Sequence, residues 1–125
     1  MINKRQLGKT DLQISEIGLG CWPIGGLSSI NNIPITYGDL SEFSAKEILL
    51  NSFKMGVNVF DTADIYSLGN SEKRIGTFLK EFRSEIHIFT KAGFVPSTNF
   101  PRPFELDLSY NHLSASLDRS LNRLK

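Results

Sequence analysis

The chain has 125 residues, the size of one domain, and can bury roughly two thirds of its unfolded surface. Its formal net charge is +1, so it offers no strong field of one sign to nucleic acid or to an anionic membrane. The first ten residues are polar and basic with no apolar stretch after them, and no run approaches the ~20 apolar residues of a membrane span. We expect a cytoplasmic protein whose partners are small molecules, not nucleic acid or membrane.

The chain contains one cysteine, Cys21, which cannot form an internal disulfide and agrees with a reducing compartment. His87 and His112 lie far from it in sequence. Zinc sites use short Cys and His spacings, so the sequence predicts no metal site.

The first half of the chain begins with short strand-like pieces. Two of them flank the turn Gly8–Asp11, which predicts a hairpin over residues 1–15. A compact strand is expected over 16–21. The following residues, 22–41, are rich in Gly, Pro, Asn and Ser and predict a long loop.

A helix is predicted over residues 42–55, with Ser41 or Ser44 as its cap and Gly56 at its end. The helical spacing predicts one buried stripe. Its members are Ala45, Ile48, Leu49, Ser52 and Phe53.

A second unit follows, with a strand over 57–60 and a helix that begins at Asn70 or Ser71. The residues of this helix that share one face are Ile75, Phe78, Leu79 and Phe82.

The third unit has a strand over 86–90 and a long loop over 92–109. We expect the Pro96–Pro103 part of that loop to be irregular, because proline lacks a backbone donor. Ser109 then caps a last helix. Four leucines form one stripe along it: Leu113, Leu117, Leu121 and Leu124.

A hairpin followed by three strand–loop–helix units predicts an α/β fold with a parallel sheet. Chemistry in such folds is usually found at the carboxyl ends of the strands. Three strands cannot close a barrel, which needs eight strands. The sheet is therefore either open or part of a larger fold.

Asp61, Tyr66 and Lys91 are the candidate catalytic residues, because they follow two neighbouring strands. A carbonyl reductase needs a proton donor for the developing alkoxide, and a phenol with an ordinary pKa of about 10 needs help at neutral pH. A nearby ammonium stabilises the tyrosinate, and a paired carboxylate orients the ammonium.

The remaining motifs have structural interpretations, and the glycines have a functional one as well. Gly18 and Gly20 begin like a dinucleotide fingerprint, but Pro23 stands where the third glycine belongs and no helix is expected for about twenty residues after it. These glycines are explained by close packing and a turn, or by a backbone and Trp22 that approach a flat ligand. Asp64 fits a capping role, while His87 and His112 are expected to be structural.

Several segments together resemble the amino-terminal part of the aldo-keto reductases. The resemblance includes Leu7–Leu12, Gly18–Trp22, Gly56–Tyr66, Gly69–Glu72, Gly76, Thr90–Lys91 and Ser116–Leu124. It implies a (β/α)8 barrel preceded by a hairpin, and NADP(H)-dependent reduction of carbonyl compounds. Ser67 stands where many members have Gly.

The resemblance also implies roles for individual residues. Tyr66 would be the general acid, with Lys91 and Asp61 as its electrostatic partners. The cofactor-binding residues would be Gly20, Cys21, Trp22 and Asp61. The family's catalytic histidine and later strands have no counterpart before Lys125. We therefore expect a truncated fragment that is inactive alone and that binds NADP(H) weakly or not at all.

Two other functions stay open. One is a non-catalytic binding or assembly protein derived from a partial barrel, and the other is a self-sufficient open sheet that binds a nucleotide. Unpaired strand edges would also favour self-association of the fragment.

Overall fold

The computed structural model of the protein describes residues 2–125. Its α-helices are α1 (Glu42–Lys54), α2 (Asn70–Phe78) and α3 (Tyr110–Leu124). Its strands are β1 (Lys4–Gln6), β2 (Gln13–Ser15), β3 (Leu19–Gly20), β4 (Ser29–Ile30), β5 (Ile33–Pro34), β6 (Val59–Asp61), β7 (His87–Phe89), β8 (Phe94–Pro96) and β9 (Phe104–Leu106).

The central sheet has the strand order β3-β6-β7, and both pairings are parallel. Before it in the chain, β1 and β2 form the expected antiparallel hairpin. The first residue of the predicted hairpin, Met1, lies outside the described residues. The α/β prediction is confirmed, with each sheet strand followed by a loop and a helical segment.

The core forms where α1 and α2 cover one side of the sheet. Ser41 caps α1 by accepting a hydrogen bond from the Ser44 backbone N–H, and Gly56 ends the helix with a φ of 102°. The predicted buried stripe of α1 is correct for Ala45 and Leu49, but Ile48 is exposed. The main cluster contains Cys21, Ile24, Ala45, Leu49, Val57, Phe60, Ile75, Leu79, Ile86 and Leu124.

Both segments predicted as long loops contain a short antiparallel hairpin. In 22–41, β4 pairs with β5, and in 92–109, β8 pairs with β9. The prediction that Pro96 is irregular is wrong, because Pro96 pairs with Phe104 at the end of β8. In a two-stranded ribbon each strand is an edge, so a terminal proline need not remove a ladder hydrogen bond.

Most of the predicted leucine stripe of α3 is exposed. Leu117 and Leu121 are 57% and 62% exposed, and Leu113 is 36% exposed. The residues that α3 buries are Ser116, Ser120 and Leu124. Small residues fit there because Gly76 of α2 closely approaches the backbone of α3. We call Leu113, Leu117 and Leu121 the α3 leucine face.

Within residues 2–125, no helix is both long and apolar enough to cross a membrane.

Candidate active site

The carboxyl ends of the three parallel strands meet at one edge of the sheet. Gly20 is in register with Asp61, which is in register with Phe89. The ladder continues past the strands, where the Cys21 N–H donates to the Asp61 carbonyl at 2.8 Å. The Asp64 N–H donates to the Lys91 carbonyl at 3.0 Å. This register brings the predicted site residues to one edge.

Lys91 and Asp61 form an ion pair at this edge. The distance from Lys91 Nζ to Asp61 Oδ1 is 2.7 Å, and both side chains are 50% exposed. The same ammonium lies 5.4 Å from the centroid of the Tyr66 ring. Within the described residues it faces the ring and makes no hydrogen bond to the phenol hydroxyl. The three predicted catalytic residues therefore form one cluster, with the cation beside the aromatic face.

Trp22 packs beside Tyr66. Its indole N–H donates to the Ile35 carbonyl at 2.6 Å, which fixes the ring. The ring stacks on Tyr66 with a centroid distance of 5.6 Å and an interplanar angle of 15°. Tyr37 meets the indole edge-on at 4.6 Å. Trp22 therefore lies directly beside Tyr66, the candidate proton donor.

A cavity of about 380 Å³ lies beside this cluster. That volume is in the range of small-molecule sites. Its lining consists of Ala63, Asp64, Ile65, Tyr66, Lys91, Ala92 and Phe94.

A second, almost wholly apolar cavity of about 180 Å³ adjoins Trp22 and Tyr66. Phe94 and Phe104 of the β8–β9 hairpin line it, together with Ile35 and Ile65. Sequence reasoning missed these residues, since they lie in segments predicted as loops. The signal available was a phenylalanine three positions after Lys91.

The loop after Tyr66 adopts a left-handed backbone at two residues without glycine. Ser67 has a φ of 48° and Leu68 a φ of 55°. Such backbone favours glycine, which accounts for the glycine that many members of the resembled family have where this chain has Ser67. The Ser67 hydroxyl donates to the Gly26 carbonyl at 2.9 Å, which ties the Tyr66 loop to the segment after Trp22.

Cys21 and Gly20 lie at the edge but differ in accessibility. Cys21 is fully buried, and burial, with the nearby Asp61 carboxylate, raises the pKa of its thiol to about 12. The thiol therefore stays protonated and unreactive at neutral pH. A side-chain carbon placed on Gly20 would meet open space, so close packing does not explain this glycine.

Asp64 is not a helix cap, contrary to the sequence prediction. Two helical segments follow Asp64, and their N-cap residues are Ile65 and Gly69. Neither cap residue makes a side-chain hydrogen bond to its helix. One carboxylate oxygen of Asp64 is buried without a hydrogen-bond partner among the described residues. Burial raises the pKa of this carboxyl, against the opposing effect of the nearby Ser116 hydroxyl.

Neither histidine lines the main cavity. His87 is a half-buried residue of β7 that pairs with Val59. His112 lies in the first turn of α3, with its Nε2 atom 3.2 Å from the Ser116 hydroxyl. Among residues 2–125, no group of three or more His, Cys, Asp or Glu side chains could hold a metal ion.

Comparison with known proteins agrees with this geometry. A sequence model of the aldo/keto reductase family matches residues 16–125. The chain belongs to the aldo/keto reductase family. It is therefore related to oxidoreductases, as the resemblance of its motifs implied.

Three curated relatives show the range of the similarity. An NADH-specific methylglyoxal reductase of Escherichia coli is 38% identical over 95 residues, covering 75% of this chain and 27% of the relative. An uncharacterized oxidoreductase of Bacillus subtilis is 32% identical over 124 residues, covering 99% and 36%. A Schizosaccharomyces pombe protein provisionally named as a voltage-gated potassium channel subunit beta is 37% identical over 125 residues, covering 96% and 32%. The chain thus spans about a third of the length of these relatives.

Solved structures agree on the fold. An aldo-keto reductase of Bacillus halodurans in its holo form superposes with a TM-score of 0.77 at 31% identity, covering 99% of this chain and 37% of that one. A glycerol dehydrogenase of Gluconobacter oxydans, at 24% identity, has a TM-score of 0.76 over 98% of this chain and 36% of its own. The three parallel strands correspond to part of the (β/α)8 barrel of such enzymes, which confirms the predicted fold class.

Proposed function

We propose that this chain carries the proton-donating half of a site that reduces aldehydes or ketones to alcohols with NADP(H). The observation that supports it best is the cluster of Asp61, Lys91 and Tyr66 at the strand ends of an aldo/keto reductase fold. In this proposal the substrate is a small carbonyl compound that occupies the cavity beside Tyr66.

The chemistry assigned to this chain is proton transfer. The Tyr66 hydroxyl donates a proton to the carbonyl oxygen as negative charge develops there. The Lys91 cation stabilises the resulting tyrosinate, and Asp61 holds the Lys91 ammonium in place through their 2.7 Å contact. Trp22 stacks on the Tyr66 ring and Tyr37 packs on the indole, so one side of the site is aromatic.

The residues at this edge fit the nicotinamide end of the cofactor, which supplies hydride when bound. Gly20 leaves open space at the strand end, where Asp61 is its partner in register and Trp22 follows two residues later in the chain. Cys21 contributes its backbone alone, because its thiol is buried and protonated. We assign contacts with the nicotinamide to these four residues.

The phosphates of the cofactor need other groups. Lys91 is the basic residue of the main cavity lining, and its ammonium is already paired with Asp61. We therefore propose that these 125 residues alone bind NADP(H) weakly and do not turn over. The Escherichia coli relative is named as NADH-specific, so the preference for NADP(H) over NADH is part of the proposal.

A second candidate function is non-catalytic assembly with another protein. The name of the Schizosaccharomyces pombe relative favours it, as do the exposed apolar side chains of the α3 leucine face. It differs from the first proposal in that it does not depend on the Tyr66 hydroxyl.

The experiment uses a chimera in which residues 1–125 replace the matching part of the Bacillus halodurans reductase. We expect the chimera to oxidise NADPH when an activated aldehyde is added. No aldehyde-dependent oxidation of either cofactor by a folded chimera would contradict the catalytic proposal.

A further inference from the structure

The first turn of α2 contains two buried polar residues that reach the ends of all three sheet strands. Ser71 and Glu72 are both 0% exposed. The Ser71 hydroxyl donates to the Cys21 carbonyl at 2.6 Å and lies 2.9 Å from the Thr62 hydroxyl. Ser71 thus connects the residues that follow β3 and β6.

Glu72 connects the third strand to α3. Its Oε1 accepts a hydrogen bond from the Thr90 hydroxyl at 2.6 Å, and its Oε2 accepts one from Arg123 Nε at 2.7 Å. A buried carboxylate is costly unless a charge and hydrogen bonds compensate it. Arg123 supplies the charge, and Thr90 supplies a donor to the other oxygen.

The backbone at Gly69 leaves room for the Arg123 side chain beside Glu72. Gly69 has a φ of 91°, and a side-chain carbon there would lie 3.0 Å from the Arg123 guanidinium. A larger residue at Gly69 would therefore push Arg123 away from Glu72. The Glu72–Arg123 contact depends on a position that only glycine fills without strain.

The consequence concerns Lys91, the residue after Thr90. Glu72 holds the Thr90 side chain from one side, while the Asp64 N–H holds the Lys91 carbonyl from the other at 3.0 Å. The backbone from which the Lys91 side chain extends is therefore fixed at two successive residues. That side chain must place its ammonium on Asp61 and over the Tyr66 ring.

We propose that Glu72 is a positioning residue that sets the location of the Lys91 ammonium through the Thr90 hydroxyl, with Arg123 compensating its buried charge. The purpose of this arrangement rests on the proposed proton-transfer function. The arrangement itself is a property of the 125-residue chain, so its test requires neither cofactor nor turnover.

The test uses nuclear magnetic resonance on the chain with isotope-labelled lysine. The Lys91 ammonium lies 5.4 Å from the centroid of the Tyr66 ring. The signal of the adjoining ε-methylene should therefore be shifted by the ring current and should show Overhauser contacts with the ring protons. Thr90→Val removes the hydroxyl with little change of shape, whereas Thr90→Ser keeps it. Glu81→Gln is the matched control, because Glu81 is exposed and lies outside this network.

We expect Thr90→Val to lose most of the ring-current shift and the Overhauser contacts, and Thr90→Ser and Glu81→Gln to keep both. Glu72→Leu should reproduce the effect of Thr90→Val, and combining the two should add little, because they remove the same hydrogen bond. If Glu72→Leu does not fold, the Thr90 pair decides alone. A folded Thr90→Val chain with an unchanged Lys91 signal would overturn the proposal, and it would leave the proposed reduction standing.

Discussion

Lys91 and Asp61 lie 2.7 Å apart across the ends of two neighbouring strands, and each side chain is half exposed. An ion pair in that setting contributes little to stability, because water and salt screen it. We therefore attribute the placement of the Lys91 ammonium to a role beside the Tyr66 ring, whose centroid is 5.4 Å away, and not to a contribution to folding stability.

The first prediction concerns the stability of this pair. Lys91→Met and Asp61→Asn should each change the free energy of unfolding by less than about 1 kcal/mol. Urea denaturation of the purified chain measures this value. Leu49→Ala, in the fully buried core, is the contrasting control and should cost about 2–5 kcal/mol. A loss at Lys91 as large as that at Leu49 would mean that the pair is structural.

The second prediction concerns the contact between α2 and α3. A side-chain carbon on Gly76 would overlap the Arg123 carbonyl oxygen, which is backbone and cannot turn aside. Gly76→Ala should therefore destabilise the chain by about 1–3 kcal/mol, although alanine is the better helix former. Thr77→Ala, at the exposed next position, is the control and should be nearly neutral. Thermal unfolding of both variants compares them, and equal stabilities would contradict the close approach.

The sequence predicted the parallel sheet and the proximity of the candidate catalytic residues, because both follow from local rules. Each apolar run ends at a polar residue, and parallel strands bring those ends to one edge, as happens for Asp61 and Lys91. What it could not predict depends on tertiary contacts. The exposure of Leu117 is an example, because helical spacing predicts a stripe but not the side on which a neighbour approaches.

The same limit applies to the polar residues of the site. Glu72 gave no local signal of being buried, since its partners Thr90 and Arg123 are distant in sequence. Asp64 looked like a cap by residue type alone, yet the structure gives it a half-buried position beside Ser116. Pairings between distant residues become visible only in the fold.

The third prediction concerns the pH dependence of stability, on which two aspartates should have opposite effects. Burial raises the pKa of Asp64 in the folded state above its unfolded value of about 3.9. Its favourable contribution is thus complete below pH ~4 and is lost as the pH rises through the folded pKa. Asp64→Asn should therefore be more stable than the parent at neutral pH, with the advantage vanishing in acid.

Asp107 is the matched comparison. Hydrogen bonds from the Ser109 hydroxyl and backbone N–H hold the pKa of Asp107 below its usual value. Its stabilisation is present above the unfolded pKa and is lost as the pH falls through the folded one. Asp107→Asn should be less stable than the parent at neutral pH and equal to it in acid. Denaturant titrations of both variants from acid to neutral pH measure these changes. A gain of stability at neutral pH for Asp107→Asn, or a loss for Asp64→Asn, would contradict the assignments.

The fourth prediction concerns self-association. The α3 leucine face exposes three large apolar side chains on one side of a helix, a pattern that marks interaction surfaces. The purified chain should form oligomers in sedimentation velocity. Replacing Leu117 and Leu121 by Ser should shift it toward monomer without loss of stability, while Ala115→Ser, elsewhere on α3, should not. A monomeric parent chain would contradict this prediction.

The most direct test of the central claim is the turnover of Tyr66→Phe in the Bacillus halodurans chimera, measured under single-turnover conditions so that chemistry limits the rate. The phenol proton matters at the alkoxide-forming step and little for cofactor binding, so aldehyde reduction should fall by about 10²–10⁴-fold while NADPH affinity stays nearly unchanged. His87→Ala, away from the cavity, should lose stability more than rate. If Tyr66→Phe kept more than about a tenth of the parent rate, Tyr66 would not be the proton donor and the cluster with Lys91 and Asp61 would not be the catalytic one.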